Sequence, residues 1–159
     1  MPASIALDRT DLRLLALLQK QGRAPNSDIA AQVNLSPSAC LRRIQRLEET
    51  GVIAGYAAQV EPAAVGLGLQ AFVRVQLVKH DAASIAAFAE QVNLWPEVVT
   101  CYALTGDMDY LLQIAVADLE HFSRFLLDKL LAQSGVADVN SSFVLRTVKA
   151  FGGLPVLGG

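Results

Sequence analysis

The chain shows two hydrophobic periodicities, separated by the glycine-punctuated stretch at residues 51–68. Before that stretch, apolar residues recur every three or four positions, which is the spacing of amphipathic helices. From Leu69 onward the period changes to two over several segments, which indicates β-strands with one buried face. The pattern therefore predicts an α+β protein, with helices first and a mixed part after them.

Three helices are predicted in the first part, over residues 8–21, 26–33 and 37–50. Asp8 is expected to cap the first helix, and Asn26 or Ser27 the second. Asn34 stands where the tight turn into the third helix needs a left-handed residue. Two helices joined by so short a turn, with another helix before them, indicate a helix-turn-helix whose third helix reads DNA.

The third helix has the clearest boundaries. Ser36 is a favourable N-cap, Pro37 suits the first helical position, and Gly51 suits a left-handed stop. An outward face with three arginines and one small residue suits the major groove of DNA, whereas a solvated amphipathic helix explains this stretch equally well when it is taken alone. The inward stripe is predicted to hold Cys40, Ile44 and Leu47 with Leu41 beside it, and the outward stripe Ala39, Arg42, Arg43 and Arg46.

The stretch after Gly51 is predicted to connect two domains. Residues 52–60 have the apolar pattern of a short strand, and a proline and two glycines then interrupt it. We interpret residues 52–67 as the wing or hinge that follows a DNA-binding domain at residues 1–51. A second domain is assigned to residues 68–149, and the glycine-rich residues 150–159 to a tail.

The second domain is predicted to have the order β-α-β-β-α-β. That order is the ferredoxin-like arrangement, a four-stranded antiparallel sheet with two helices on one face. Apolar residues on both faces of the first and last strands predict that a second copy covers the bare face, and hence a homodimer. Strands are expected at residues 69–77, 98–104, 110–116 and 136–148. One helix is expected at residues 82–93, and its predicted inward residues are Ile85, Phe88 and Val92. A second helix is expected after Asp118, and its predicted inward residues are Leu119, Phe122, Leu126 and Leu130.

Composition and charge narrow the class of protein. With 53% hydrophobic and 18% charged residues, the chain is expected to fold rather than stay disordered. Residues 1–60 carry seven basic and five acidic side chains, whereas residues 61–159 carry six basic and ten acidic ones. This distribution suits a small basic DNA-binding domain attached to an acidic remainder. There is no run of about 18 apolar residues and no secretion pattern, so a cytoplasmic location is expected.

Few residues suggest metal or catalytic chemistry. Cys40 and Cys101 lie in apolar patterns far apart and are expected to be reduced core residues. His80 and His121 have no Cys or His at metal-ligand spacing, so no metal and no cofactor are expected. No Ser/His/Asp set or phosphate-binding glycine loop is recognisable, which argues against an enzyme.

Five short motifs follow one another along nearly the whole chain. They are LDRTD at residues 7–11, LSPSACLRRIQRLEETGVI at 35–53, GY at 55–56, LTGDMDYLL at 104–112 and GV at 135–136. Together they resemble the Lrp/AsnC, or feast/famine, transcriptional regulators, and the fourth motif is most similar to the leucine-responsive branch. The resemblance implies an N-terminal domain that binds DNA and a C-terminal domain that dimerises and senses amino acids.

The resemblance also implies where an amino acid would bind. Family members commonly assemble four dimers into an octamer, with the amino acid between dimers and in contact with a Gly-x-x-Asp turn. An apolar effector such as leucine or methionine is expected. The corresponding residues are Gly106, Asp107, Met108 and Asp109, and less directly Thr105 and Tyr110.

The chemistry of this turn suits a free amino acid independently of the resemblance. A ligand ammonium needs a carboxylate, and a ligand carboxylate needs backbone N–H donors, which a glycine turn can bring close. From the residues alone, an ordinary Gly-Asp hairpin turn is the alternative. Ser141 and Ser142, on the last strand, are candidates to contribute hydroxyl groups to the amino-acid site. The alternative is that they are ordinary sheet residues.

On the DNA side, residues near the start of a reading helix enter the groove first. A dimer would place two such helices roughly 34 Å apart, so the operator is expected to be nearly palindromic. The alternative function is a stand-alone amino-acid sensor or regulatory subunit that acts through a protein partner. The side chains expected near base edges are Ser38, Ala39 and Arg42. Arg43 and Arg46 are expected partly on phosphates. Ser36 is expected to cap the helix first and to donate to a phosphate second.

Overall fold

The computed structural model describes residues 6–156, which divide into two compact units. The first unit takes in the segments up to Ala58 and from Lys149 onward, and the second runs from Gln59 to Val148. The predicted domain at 1–51 and the predicted tail at 150–159 therefore fall in one unit. Their outermost residues, 1–5 and 157–159, lie outside the described part. No helix in that part is long and apolar enough to cross a membrane.

The first unit contains the three predicted helices. Asp8 and Asp11 form a reciprocal capping box at the start of α1, in which each carboxylate accepts from the other's backbone N–H. The helices pack around a small core of Leu14, Ile29, Ala30, Val33, Cys40 and Ile44. Their bounds are Arg9–Lys20 for α1, Asn26–Gln32 for α2 and Pro37–Glu49 for α3.

The turns around α3 follow the predicted chemistry, with one exception. Asn34 has φ 57° and Gly51 φ 72°, so both residues adopt the left-handed conformation that was predicted. The prediction that Asn26 or Ser27 caps α2 is wrong, because Pro25 occupies the N-cap and makes no side-chain cap. The Asn26 amide instead donates to the Pro37 carbonyl at 2.8 Å and ties the start of α2 to the start of α3.

The strand predicted over residues 52–60 is also wrong. This segment has no regular structure, and a short 3₁₀ turn, Pro62–Val65, follows it. A strand needs a neighbouring strand for its backbone hydrogen bonds, and no strand of the described chain pairs with this segment. Ile53 is nevertheless fixed, since its N–H donates to the Leu47 carbonyl at 2.9 Å and its side chain packs on the core of the first unit.

The C-terminal segment packs on α1. The Gln19 amide Nε2 donates to the Leu154 carbonyl at 3.1 Å. Gly153, at φ 102°, lies against the same side chain, and a Cβ there would come within 2.8 Å of Gln19 Oε1. Residues 149–156 are thus part of the helical unit, a contact that the glycine-rich sequence did not predict.

The second unit has the predicted β-α-β-β-α-β order. All strand pairs are antiparallel and the spatial order is β2-β3-β1-β4, which confirms the ferredoxin-like arrangement. The second helix widens into a π-helical segment at Phe125–Leu130. The strands are β1 Leu69–Leu77, β2 Val98–Ala103, β3 Tyr110–Val116 and β4 Val136–Phe143, and the helices α4 Ala82–Leu94 and α5 Leu119–Arg124.

One face of the sheet and both helices form the core. The strands β1 and β3 contribute one buried face, on which Val73 pairs with Leu112 and both are fully buried. Ile85 and Leu119 were predicted to be buried but are 42% and 62% exposed. Phe125 is buried although it was not predicted, because hydrogen bonding widens to i→i+5 in the π-helical segment.

The last strand is shorter than the predicted 136–148. The Val144 N–H donates to the Gln70 carbonyl at 2.9 Å, and beyond that point only Leu69 remains of β1. Residues 144–148, which were predicted to belong to this strand, therefore lie outside it. Leu145 is 97% exposed.

Candidate DNA-binding helix and effector turn

The exposed surface of α3 is rotated by about one residue from the predicted stripe. Cys40, Ile44 and Leu47 are buried as predicted, but Leu41 is 46% exposed. Ala39 and Arg43 are only half-buried and flank the core. The side chains that face away from it form what we call the outer ridge: Ser38, Arg42, Gln45 and Glu49, at the helical spacing i, i+4, i+7 and i+11.

The start of α3 is fixed by local hydrogen bonds. Ser36 Oγ accepts from the Ala39 N–H at 3.3 Å and lies 3.3 Å from Ser38 Oγ. Pro37 occupies the first turn, where its missing N–H costs nothing. Ser36 and Ser38 are both exposed. The N-terminal turn of α3 therefore presents two hydroxyls to solvent.

Two of the three arginines on α3 are held by carboxylates of α1. Asp11 is fully buried and its side chain is 1% exposed. Arg43 Nη1 lies 2.8 Å from Asp11 Oδ1 and 2.7 Å from Asp8 Oδ2, and Arg46 Nη2 pairs with Asp11 Oδ2. Among the described residues, Arg42 makes no hydrogen bond or ion pair.

The charges in this cluster stabilise one another. The pKa of the Asp8 carboxyl is lowered, first by the backbone N–H of Asp11 and then by the Arg43 guanidinium. The pKa of Arg43 is raised by its hydrogen bonds to Asp8 and Asp11. A shallow groove runs over the cluster, lined by Asp8, Arg42, Arg43, Gln45, Arg46 and Glu49.

The segment after α3 packs back on its end. Tyr56 Oη donates to Glu48 Oε1 at 2.8 Å. Burial and the neighbouring carboxylate raise the pKa of Tyr56 to about 12. This contact holds residues 52–56 near the end of the helix without a wing strand.

The candidate effector turn connects β2 and β3. It closes through the Leu104 N–H, which donates to the Asp109 carbonyl at 2.8 Å. Gly106 has φ 122°, and a Cβ there would meet no atom within 4 Å, so the backbone is strained for other residues but open to solvent. Thr105 and Asp107 are exposed and Met108 is half-buried.

The two aspartates of the turn have different surroundings. Asp109 Oδ2 accepts from the Leu77 N–H at 2.7 Å and lies 3.0 Å from His80 Nε2. Asp107 has no partner among the described residues. The turn thus holds one carboxylate that is engaged within the chain and one that is free.

The remaining candidate effector residues are not all brought to this turn. Tyr110 is buried, and its ring centroid lies 4.7 Å from that of Phe88. Ser141 pairs with Val73 and Ser142 with Phe72, so the two serines point to opposite faces of β4. Because β1 lies between β4 and β3, the serines and the turn do not meet within one chain.

Sequence reasoning missed three residues that contribute to these sites. Gln45 lies on the outer ridge. Its position three residues after Arg42 could have indicated that it shares the exposed face of α3 with that arginine. Asp11 and His80 act through partners about thirty residues away, for which local spacing gives no signal. No group of three His, Cys, Asp or Glu suited to a metal occurs in residues 6–156.

Comparison with known proteins identifies both units. The family model of the Lrp/AsnC ligand binding domain matches residues 70–154, and the model of a winged helix-turn-helix DNA-binding domain matches residues 7–54. These models describe transcriptional regulators rather than enzymes, in agreement with the sequence prediction.

Three relatives illustrate the similarity. A transcriptional regulator from Neisseria meningitidis, solved as its L-methionine complex, is 47% identical with a TM-score of 0.92, over 96% of this chain and 98% of that one. The Bkd operon transcriptional regulator of Pseudomonas aeruginosa is 39% identical over 89% of this chain and 93% of its own. The leucine-responsive regulatory protein of Rhizobium meliloti is 37% identical over 94% of this chain and 96% of its own length.

The helix-turn-helix, the ferredoxin-like sheet and these matches agree along nearly the whole chain. The chain belongs to the Lrp/AsnC family of transcriptional regulators.

Proposed function

We propose that this protein is a sequence-specific DNA-binding regulator whose DNA binding or assembly responds to a small apolar amino acid, leucine or methionine. The observation that carries the proposal is the combination of an exposed, well-capped α3 with an open glycine turn that bears a free carboxylate. As a regulator that binds DNA, it would act in the cytoplasm.

DNA would be bound by α3. Ser36 and Ser38 are exposed on its first turn with Ala39 beside them, and hydroxyls and helix N-termini suit phosphates and base edges. Arg42 is exposed and unpaired among the described residues, which favours a base contact. Arg43 and Arg46 each pair with aspartates through one guanidinium nitrogen. Their remaining guanidinium N–H groups would contact phosphates.

The effector would bind at the turn of residues 105–109. Asp107 is the carboxylate available for the ligand's ammonium, and the open backbone at Gly106 suits the ligand's carboxylate. Asp109 would shape the turn from within, while Thr105, Met108 and the backbone of Tyr110 surround it. Ser141 and Ser142 could join the site only from another chain. The Neisseria meningitidis relative, solved with L-methionine, supports an apolar amino acid.

A homodimer would bring two reading helices together. Phe72 and Tyr102 are 39% and 55% exposed on the sheet face that no helix covers, which favours a second copy there. Four such dimers would form an octamer with the effector turns between dimers. Two helices roughly 34 Å apart would then read a nearly palindromic site.

A thermal-shift screen of the twenty amino acids tests the effector part of this proposal. Leucine or methionine should raise the melting temperature of the full-length protein, since a ligand at 100 times its Kd adds about 2.7 kcal/mol of stability. Asp107→Asn should abolish the shift. Glu90→Gln, an equal charge change at an exposed position of α4, should retain it. If no amino acid shifts the wild type, the effector assignment is wrong.

A further inference from the structure

The buried carboxylate of Asp11 is a group that DNA binding by α3 does not by itself explain. We propose that Asp11 is a positioning residue that holds Arg43 and Arg46 against α1, so that base selection falls to Arg42 and Gln45. This inference rests on the proposed DNA binding and adds which side chains select bases.

Both oxygens of Asp11 are occupied. Oδ1 lies 2.8 Å from Arg43 Nη1, and Oδ2 pairs with Arg46 Nη2 and also accepts from the Asp8 N–H at 3.1 Å. The side chains of Arg43 and Arg46 are 31% and 45% exposed, whereas that of Asp11 is 1% exposed. One buried anion therefore anchors two partly exposed cations.

This arrangement disfavours a base contact by either arginine. A bidentate contact to guanine uses two N–H groups of one guanidinium, and reaching a base would draw that group away from Asp11. A buried carboxylate left without its partner is strongly unfavourable. The two arginines are therefore kept in place, and only their outward N–H groups can meet phosphates.

Arg42 and Gln45 have no such restraint. They lie three residues apart on the outer ridge, both exposed, and neither has a hydrogen-bond partner among the described residues. Side chains at i and i+3 are neighbours on a helix surface, about 5–6 Å apart at Cβ. Arginine reads guanine and glutamine reads adenine by bidentate hydrogen bonds in the major groove. The pair is thus suited to read a guanine and an adenine at neighbouring positions.

The test begins with the full-length wild type and a randomised duplex library, from which a preferred site is selected. Gln45→Ala should relax the preference at one position, with roughly a 5- to 150-fold loss of discrimination between bases there. Gln45→Arg should change the base preferred at that position from adenine to guanine. Glu90→Gln serves as a control for both variants, because it should leave every preference unchanged.

The positioning role of Asp11 has its own readout. Asp11→Asn removes the carboxylate partner that Arg46 has among the described residues and one of the two that hold Arg43, since Asp8 still pairs with Arg43. Binding to a scrambled duplex should therefore strengthen and the salt slope should steepen by about 1, at roughly 0.9 for each additional phosphate contacted. A merely structural role would not steepen that slope. If Asp11→Asn fails to fold, Asp8→Asn, which releases only one contact of Arg43 at an exposed site, should steepen the slope by a smaller amount.

Failure of the proposed DNA binding can be told apart from failure of the roles assigned to Asp11 and Gln45. A wild type that selects no site contradicts the proposed DNA binding itself. A wild type that selects a site, with Gln45→Ala keeping every base preference, overturns the assignment of base reading. A folded Asp11→Asn or Asp8→Asn with the wild-type salt slope overturns the positioning role.

Discussion

The Asp109 carboxylate accepts a hydrogen bond from the backbone N–H of Leu77, with 2.7 Å between the two atoms. This bond ties the turn between β2 and β3 to the end of β1, next to His80. Asp107, two residues earlier, makes no such bond among the described residues. The two aspartates of the candidate effector turn should therefore respond differently to substitution.

Asp109→Ala should destabilise the fold, because it leaves the Leu77 N–H without its partner. The expected loss is about 1–3 kcal/mol in the free energy of unfolding, measured by urea denaturation of the full chain. Asp107→Ala should change the stability by less than about 0.5 kcal/mol while it removes the thermal shift by leucine or methionine. Equal losses of stability in the two variants would contradict this distinction.

Glu97 gives a pH dependence that can be tested. Burial raises the pKa of its carboxyl, but the Lys129 ammonium at 2.7 Å, backbone hydrogen bonding and His121 outweigh burial and hold the pKa below the ordinary 4.5. A lowered pKa in the folded state means that the stabilisation is present above pH 4.5 and is lost as the pH falls through the folded value.

Glu97→Gln should therefore be less stable than the wild type at pH 7, and the difference should shrink as the pH falls from 4.5 toward the lowered pKa. Urea denaturation at several pH values measures both curves. The exposed Glu90→Gln serves as the control and should follow the wild type. A difference between Glu97→Gln and wild type that stays constant down to pH 3 would contradict the pKa direction.

Asn34 tests the turn between α2 and α3. Its φ of 57° is costly for a residue with an ordinary side chain, so Asn34→Ala should lose about 1–2 kcal/mol in the free energy of unfolding. Asn34→Gly should be nearly neutral, because glycine adopts this conformation freely. If alanine is tolerated as well as glycine, the left-handed turn does not contribute to stability.

The bare sheet face tests the proposed dimer. Placing a charge there, with Phe72→Asp and Tyr102→Asp together, should lower the mass measured by analytical ultracentrifugation to that of a single chain. Leu94→Asp, at a 72% exposed position on α4, should leave a dimer intact. A double variant that sedimented as the wild type does would show that copies meet through another surface.

The features that the sequence predicted are those set by neighbouring residues. Ser36 and Pro37 begin α3, and the left-handed Asn34 and Gly51 bound it, because caps and turns depend on short stretches of chain. The ferredoxin-like order followed from the period-two strands in the same way. These local rules also placed the glycine turn between β2 and β3.

The features that the sequence did not predict depend on distant partners. The strand expected at 52–60 has no neighbour to pair with among the described strands. β4 ends at Phe143, opposite Ala71, because only Leu69 and Gln70 of β1 lie beyond that pair. Asp11 lies in the first motif, LDRTD, and local spacing did not show that it holds Arg43 from 32 residues away. That long-range ion pair engages Arg43 within the chain, while Arg42 and Gln45 stay exposed.

The most direct test of the account is a fluorescence-anisotropy titration of the full-length protein on its selected duplex, with and without leucine or methionine. One of the two amino acids should change the apparent Kd by about 5-fold or more, a coupling typical of allosteric proteins. The change should disappear in Asp107→Asn, and Arg42→Ala should weaken binding to the selected duplex more than to a scrambled one. An apparent Kd that is the same with either amino acid and without it would contradict the account.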